Sequence, residues 1–230
     1  MVIRPKPDYS IFHQWRNPAE VRDLCNEVID GLEAKSGEFE ILIGSGLQPL
    51  RDAVTAADVG ITYGRQHPGV QVLLIPEGDR RPDFQLREAG GSVLTFEATE
   101  AYLPGRSRGV DYKKIREMPK QQRGLELVGG EQMIANQAKV EEVFAARVKD
   151  KAGKRYLDEA GQVVTPHLLI RDNLHHDHAG EALAAMVENW KESFPSIWVL
   201  AKNLDLIQLW PKLKRLPGGD FVDRLSVQKQ

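Results

Sequence analysis

Cysteine is almost absent from this chain of 230 residues: Cys25 stands alone. One thiol rules out an internal disulfide framework and a thiolate zinc site. Long hydrophobic runs are also missing, and nothing approaches the roughly 18 consecutive apolar residues of a membrane span. No apolar signal-peptide core follows Met1–Pro7. These absences together lead to the expectation of a cytoplasmic protein without membrane contact. Charge of one sign is scarce as well. The net charge of −2 argues against a dedicated nucleic-acid coat protein. What remains is 41% apolar and 28% charged residues, a globular profile able to bury a sizeable core.

The charge is unevenly placed. Arg106, Arg108, Lys113, Lys114, Arg116, Lys120 and Arg123 face only Asp111 and Glu117 within their segment. Arg147, Lys149, Lys151, Lys154 and Arg155 form a second cluster around Asp150. Each reads equally well as solvated surface or as a phosphate-attracting patch.

Hydrophobic spacing predicts the elements. Asn17-Pro18 opens a helix carrying Val21, Leu24, Cys25, Val28 and Leu32, which ends near Gly37. Phe39–Ile43 fits a short strand or a helical turn, and Pro49–Asp58 a short helix. Val70–Ile75 is a buried strand by its β-branched content. Asp83–Arg87 and Val93–Thr99 form a hairpin about Gly90-Gly91. The longest helical pattern runs from Glu131 to Lys149, followed by a turn at Leu157–Gly161 and a strand within Val163–Arg171. Ala179–Trp190 is a second amphipathic helix, and Ile197–Leu200 pairs with Leu204–Trp210. A polar tail, expected to be loose, begins at about residue 217. Helices and strands alternate without a linker or repeat, which predicts one α/β domain over residues 1–230.

The hairpin brings two acids together, Asp83 after Pro82 and Glu97 in Phe96-Glu97-Ala98-Thr99. Paired carboxylates on rigid strands suit a hard divalent cation, because Mg²⁺ takes oxygen ligands and few of them from protein. Taken singly, Asp83 is an ordinary turn residue and Glu97 an ordinary edge-strand acid. Their joint placement is the functional signal.

This pattern resembles the PD-(D/E)XK superfamily of restriction-endonuclease-like nucleases. The likeness rests on Pro82-Asp83, a gap of thirteen residues, then Glu97-Ala98-Thr99, and on element order from Pro18 to Trp210. It implies a central mixed sheet flanked by helices and a Mg²⁺- or Mn²⁺-dependent nuclease acting on DNA, with RNA as the alternative substrate. Asp83 and Glu97 would hold the metal, joined by a first-helix acid, Glu27 or Glu20. The family pattern places a lysine two residues beyond the second acid, and this chain has Thr99 there. A hydroxyl cannot replace an ammonium as a charge stabiliser. Three explanations stand side by side. The cation comes from elsewhere, with Lys139 preferred, Gln137 orienting water beside it, and Arg106 or Arg108 as alternatives. Or catalysis is lost and a nucleic-acid- or protein-binding protein remains. Or the likeness is accidental. In the nuclease reading Arg106, Arg108, Lys113 and Lys114 meet the DNA backbone. Homodimers, frequent in such nucleases, are implied by analogy alone.

Other features weigh less. His175, His176 and His178 are nearly contiguous, so their side chains diverge, and Asp177 suits a helix cap. Gly44-Ser45-Gly46 lacks the ending of a phosphate loop and reads as a turn. Trp190, Trp198 and Trp210 fit core packing better than base stacking.

Overall fold

The computed structural model describes residues 8–36, 47–78, 80–102, 137–173, 180–201 and 204–218. Four helices are described: α1 (Pro18–Ser36), α2 (Gln48–Gly64), α3 (Gln137–Ala152) and α4 (Gly180–Val187). The strands are β1 (Gln71–Leu74), β2 (Phe84–Arg87), β3 (Val93–Ala101), β4 (Tyr156–Leu157), β5 (Val163–Val164), β6 (His167–Asp172), β7 (Ile197–Leu200), β8 (Leu206–Trp210) and β9 (Lys214–Leu216). Seven of them form one sheet in the order β1-β2-β3-β6-β7-β8-β9, while β4 and β5 make a separate small hairpin. The pairs β3–β6 and β6–β7 are parallel and the other neighbours antiparallel, so the sheet is mixed and mostly antiparallel. The expected α/β class with a mixed central sheet and flanking helices is therefore present.

Both faces of the sheet are covered. Val21, Cys25, Ala56, Val59, Phe84, Phe96 and Leu169 belong to the core beneath α1 and α2. Val140, Phe144, Val148, Leu168, Ile170 and Leu183 belong to the core beneath α3 and α4. The central strands β6 and β7 consequently read as unbroken apolar runs, Leu168–Ile170 and Ile197–Leu200, because neither face sees water.

Local chemistry explains most boundaries. The Asn17 side chain accepts the Ala19 N–H at 2.9 Å and caps α1. Gly91, at φ 89°, completes the turn between β2 and β3. Helix α2 runs six residues past the expected Asp58. Its continuation, Val59 to Gly64, contains β-branched residues and two glycines of poor helix propensity, but Val59, Gly60, Thr62 and Tyr63 are buried, and packing overrides propensity. Strand β9 escaped the sequence reading because Lys214 and Arg215 are charged and exposed, as suits an edge. The strand expected within Val163–Arg171 is β6, and the two-residue β5 precedes it. Residues 39–46 and the tail from 219 lie outside the described residues. Among the described residues no helix is long and apolar enough to cross a membrane.

Gly60 is where α2 comes closest to its neighbours. A Cβ there would lie 2.6 Å from Val72 Cγ2 and 2.8 Å from Pro18 Cγ. Gly60→Ala is expected to destabilise the protein by about 1–3 kcal/mol through overpacking, measured by urea denaturation. Unchanged stability would show that α1 and β1 can yield.

Candidate active site

The register of β2 and β3 builds the site. Phe84 pairs with Phe96, so continuing the register by one residue sets Asp83 opposite Glu97. Phe84 and Phe96 stack at 5.0 Å in the core beneath α1 and α2. Alternation then turns Asp83 and Glu97 toward the face covered by α3. Backbone bonds fix the corner. Asp83 N–H donates to Phe96 O at 2.9 Å, and Ile75 N–H donates to Asp83 O at 3.0 Å. Asp83 Oδ2 accepts the Ala98 N–H at 2.6 Å. Because β2 starts at Phe84 while β3 continues to Ala101, the end of β3 runs past its partner and leaves a notch in the sheet.

Two further elements close on this notch. Lys151, in the last turn of α3, donates from Nζ to Glu97 Oε1. Glu97 is 5% exposed, so this ammonium balances a buried carboxylate. Tyr156, from β4, lies against Glu97 and against the Lys151 carbonyl, at 3.4 Å from the latter. The β4–β5 hairpin is anchored by Leu157 N–H donating to Arg80 O at 2.9 Å, close in sequence to Asp83. From the other side, α2 contributes Asp52, whose Oδ1 accepts from Gln48 Nε2 at 2.7 Å.

The electrostatics reflect crowded negative charge. Burial, then the Glu97 charge, raise Asp83 to about 7, against the pull of the Ala98 N–H, Lys151 and Lys154. Burial, then the Asp83 charge, raise Asp52 to about 8, with Gln48 and Arg51 opposing and Glu100 adding to the rise. Burial together with Glu97 and Asp83 also pushes the Tyr156 hydroxyl upward. The folded protein therefore holds protons that the unfolded chain releases. Stability from these groups is fully present below about pH 4 and is lost as pH rises through 7 and 8. We expect the melting temperature without added metal to fall by several degrees between pH 5.5 and 8.5 from these groups. Asp52→Asn should remove much of the fall, as read by thermal melts of both proteins across that range. A variant with the wild-type slope would overturn the assignment.

The donor set at Asp83 and Glu97 is oxygen-only, partly buried and over-charged, which fits Mg²⁺ or Mn²⁺ better than a softer ion. Among the described residues no group of three or more His, Cys, Asp or Glu side chains is placed to hold a metal. The site thus offers a carboxylate pair, one member of which is paired with Lys151.

The structure brings together some of the residues expected from sequence and separates others. Asp83 and Glu97 meet. Lys139 does not occupy the lysine position: its Nζ pairs with Glu142 at 2.7 Å on a more exposed part of α3, and Lys151 is the lysine on Glu97. Gln137 is the first residue of α3. Glu27 is exposed on α1, and Glu20 is bound by Arg16, so the third acid beside the pair comes from α2 as Asp52. Thr99 lines a groove of about 300 Å³ between α2 and α3. Glu100 pairs in register with Arg171 and faces α2, opposite to Glu97. Arg106, Arg108, Lys113, Lys114, the His175–His178 cluster and Gly44–Gly46 lie outside the described residues.

Lys151, Asp52 and Tyr156 were missed by sequence reasoning, and two of them carried a signal. Lys151 follows Phe144 by seven residues and Val148 by three, so it prolongs the apolar stripe of α3. Asp52 precedes Ala56 by four and Val59 by seven on the buried face of α2. A charge on a buried stripe requires a partner or a purpose. No protein-family model, curated protein or solved structure matches this chain.

Proposed function

We propose that this protein is a metal-dependent nuclease acting on DNA phosphodiesters, with the sheet arranged in the restriction-endonuclease-like manner. One observation carries the reading: Asp83, the residue before β2, lies one step beyond the Phe84–Phe96 pair and so beside Glu97 of β3, and a lysine from α3 sits on Glu97. Bound at the two carboxylates, Mg²⁺ or Mn²⁺ would polarise the phosphodiester and acidify a water. The chain's own groups supply the remainder. Glu97 and Asp83 are held rigidly by β3 and by the Ala98 N–H, so little reorganisation is needed. Lys151 Nζ, paired with Glu97, would stabilise negative charge developing on the phosphate and orient the attacking water, the part that Thr99 cannot play. Asp52 carries a raised pKa, and its Oδ2 can hold a proton near neutral pH for transfer to the leaving oxygen.

A non-catalytic binding protein on the same fold is the second reading. It is favoured by the ion pair itself, because Lys151 neutralises Glu97. Cleavage of plasmid and single-stranded DNA with Mg²⁺ or Mn²⁺, beside Asp83→Ala, separates the two. Metal-dependent cutting lost in the variant supports the nuclease. Absence of cutting by both proteins removes it in favour of the binding reading.

A further inference from the structure

The groove of about 300 Å³ beside the acids is lined by Arg51 and Asp52 from α2, Arg147 and Lys151 from α3, and Thr99 and Glu100 from β3. Arg171 also reaches it, but donates to Thr55 at 2.9 Å and lies 3.8 Å from the buried Asp58. Lys151 is engaged by Glu97. The two other guanidinium groups are not committed to carboxylates. Among the described residues neither Arg51 nor Arg147 makes an ion pair within 4 Å; the Arg51 side chain donates to the neutral Gln48 at 2.7 Å, with Asp52 close enough to feel its charge. They stand on opposite walls, one on each helix, and both are half-buried. Half-burial strengthens their pull on an anion relative to fully solvated arginines, and a guanidinium matches phosphate oxygens bidentately.

We infer that this groove receives a single nucleic-acid strand, with Arg51 and Arg147 gripping the phosphates next to the one at Asp83 and Glu97. The inference rests on the nuclease reading and names the form of its substrate. Shape selects a single strand over a duplex. The groove is of nucleotide size; Lys151, which pairs with the 5%-exposed Glu97, and Ala98, the residue after Glu97, are on its wall, and the acids lie beside it. A flexible strand can lower one phosphate into such a cleft. A stiff duplex, with a persistence length of about 150 base pairs, keeps its phosphates on a wide cylinder that meets both helices first. Arg51 and Arg147 are thus positioning residues for the strand.

The test uses the full chain and a fluorescent 20-nucleotide oligo-dT, with a hairpin duplex of equal length beside it. Binding is read by anisotropy in Ca²⁺ at several salt concentrations, and cutting in Mn²⁺. Wild type should bind the single strand more tightly than the duplex. Arg51→Ala plus Arg147→Ala should weaken it at least about tenfold and lower the slope of log affinity against log salt by about 1.4, two phosphate contacts on a single strand. Lys191→Ala, an exposed lysine paired with Glu188, should bind as wild type. Thermal melts check that the variants fold, and Arg147→Glu gives a second, stronger repulsion. Duplex preference, or arginine variants that bind and cut as wild type, overturns the strand clamp while leaving a plasmid-cutting nuclease intact. Strand binding lost in the arginine variants, with no metal-dependent cutting by wild type, keeps the clamp and removes the nuclease.

Discussion

Glu97→Gln and Asp83→Asn should each fold and cut DNA at least about 1000-fold more slowly than wild type. On the nuclease reading each change would remove a metal ligand whose contribution to charge stabilisation is several kcal/mol, at about 1.4 kcal/mol per tenfold. Both replacements keep the shape of the site. Asn at position 83 can still accept the Ala98 N–H now accepted by Oδ2. The same substitution removes one member of a crowded carboxylate group, so Asp83→Asn should melt at the wild-type temperature or above it at pH 8. Activity lost with stability kept or gained marks a residue retained for chemistry at a cost to the fold. Single-turnover cleavage in Mn²⁺ and thermal melts of the same samples decide the matter. A loss under tenfold in both variants would sink the carboxylate pair as the metal site. On the same reading divalent ions should also raise the melting temperature of wild type more at pH 8 than at pH 5.5, because a cation would compete with protons for the acids.

Lys151 carries the second large effect, and it separates this residue from Lys139. Lys151→Met leaves Glu97 buried without a cation, a change that costs about 3–5 kcal/mol in comparable buried pairs. Cleavage should fall by about 100- to 1000-fold, the scale for loss of one preorganised charge stabiliser. Lys139→Ala removes a largely exposed pair with Glu142 and should change stability by under about 0.5 kcal/mol and cleavage by under about twofold. The double variant Glu97→Gln with Lys151→Met should recover much of the lost stability but none of the activity, since neither unpaired charge remains. Urea denaturation and single-turnover rates give the complete cycle. Equal losses from Lys139→Ala and Lys151→Met would place the functional lysine on the wrong part of α3.

The acid pair was legible because strand alternation and a glycine turn are local properties. Thirteen residues between Asp83 and Glu97 can hardly do other than fold back at Gly90-Gly91 and set the two acids in register. The lysine was not legible, since it depends on how the end of α3 crosses β3. Lys139 and Lys151 are twelve residues apart on one helix, about 18 Å at 1.5 Å per residue, and periodicity alone does not say which end reaches the notch. Asp52 was hidden for a related reason. Its helix was expected, but the face that meets Asp83 is chosen by the packing of α2 against α1 and β1.

The sequence by itself determined the α/β class, the hairpin and the pairing of Asp83 with Glu97, because hydrophobic period and turn chemistry act over a few residues. Only the tertiary structure decided that Lys151 neutralises Glu97, that Asp52 rather than Glu27 stands beside the pair, and that Arg51 and Arg147 face one groove. Those contacts join residues separated by 31 to 96 positions. They form because two apolar faces close on a sheet, and burial, not local propensity, chooses which charged side chains are carried in with them.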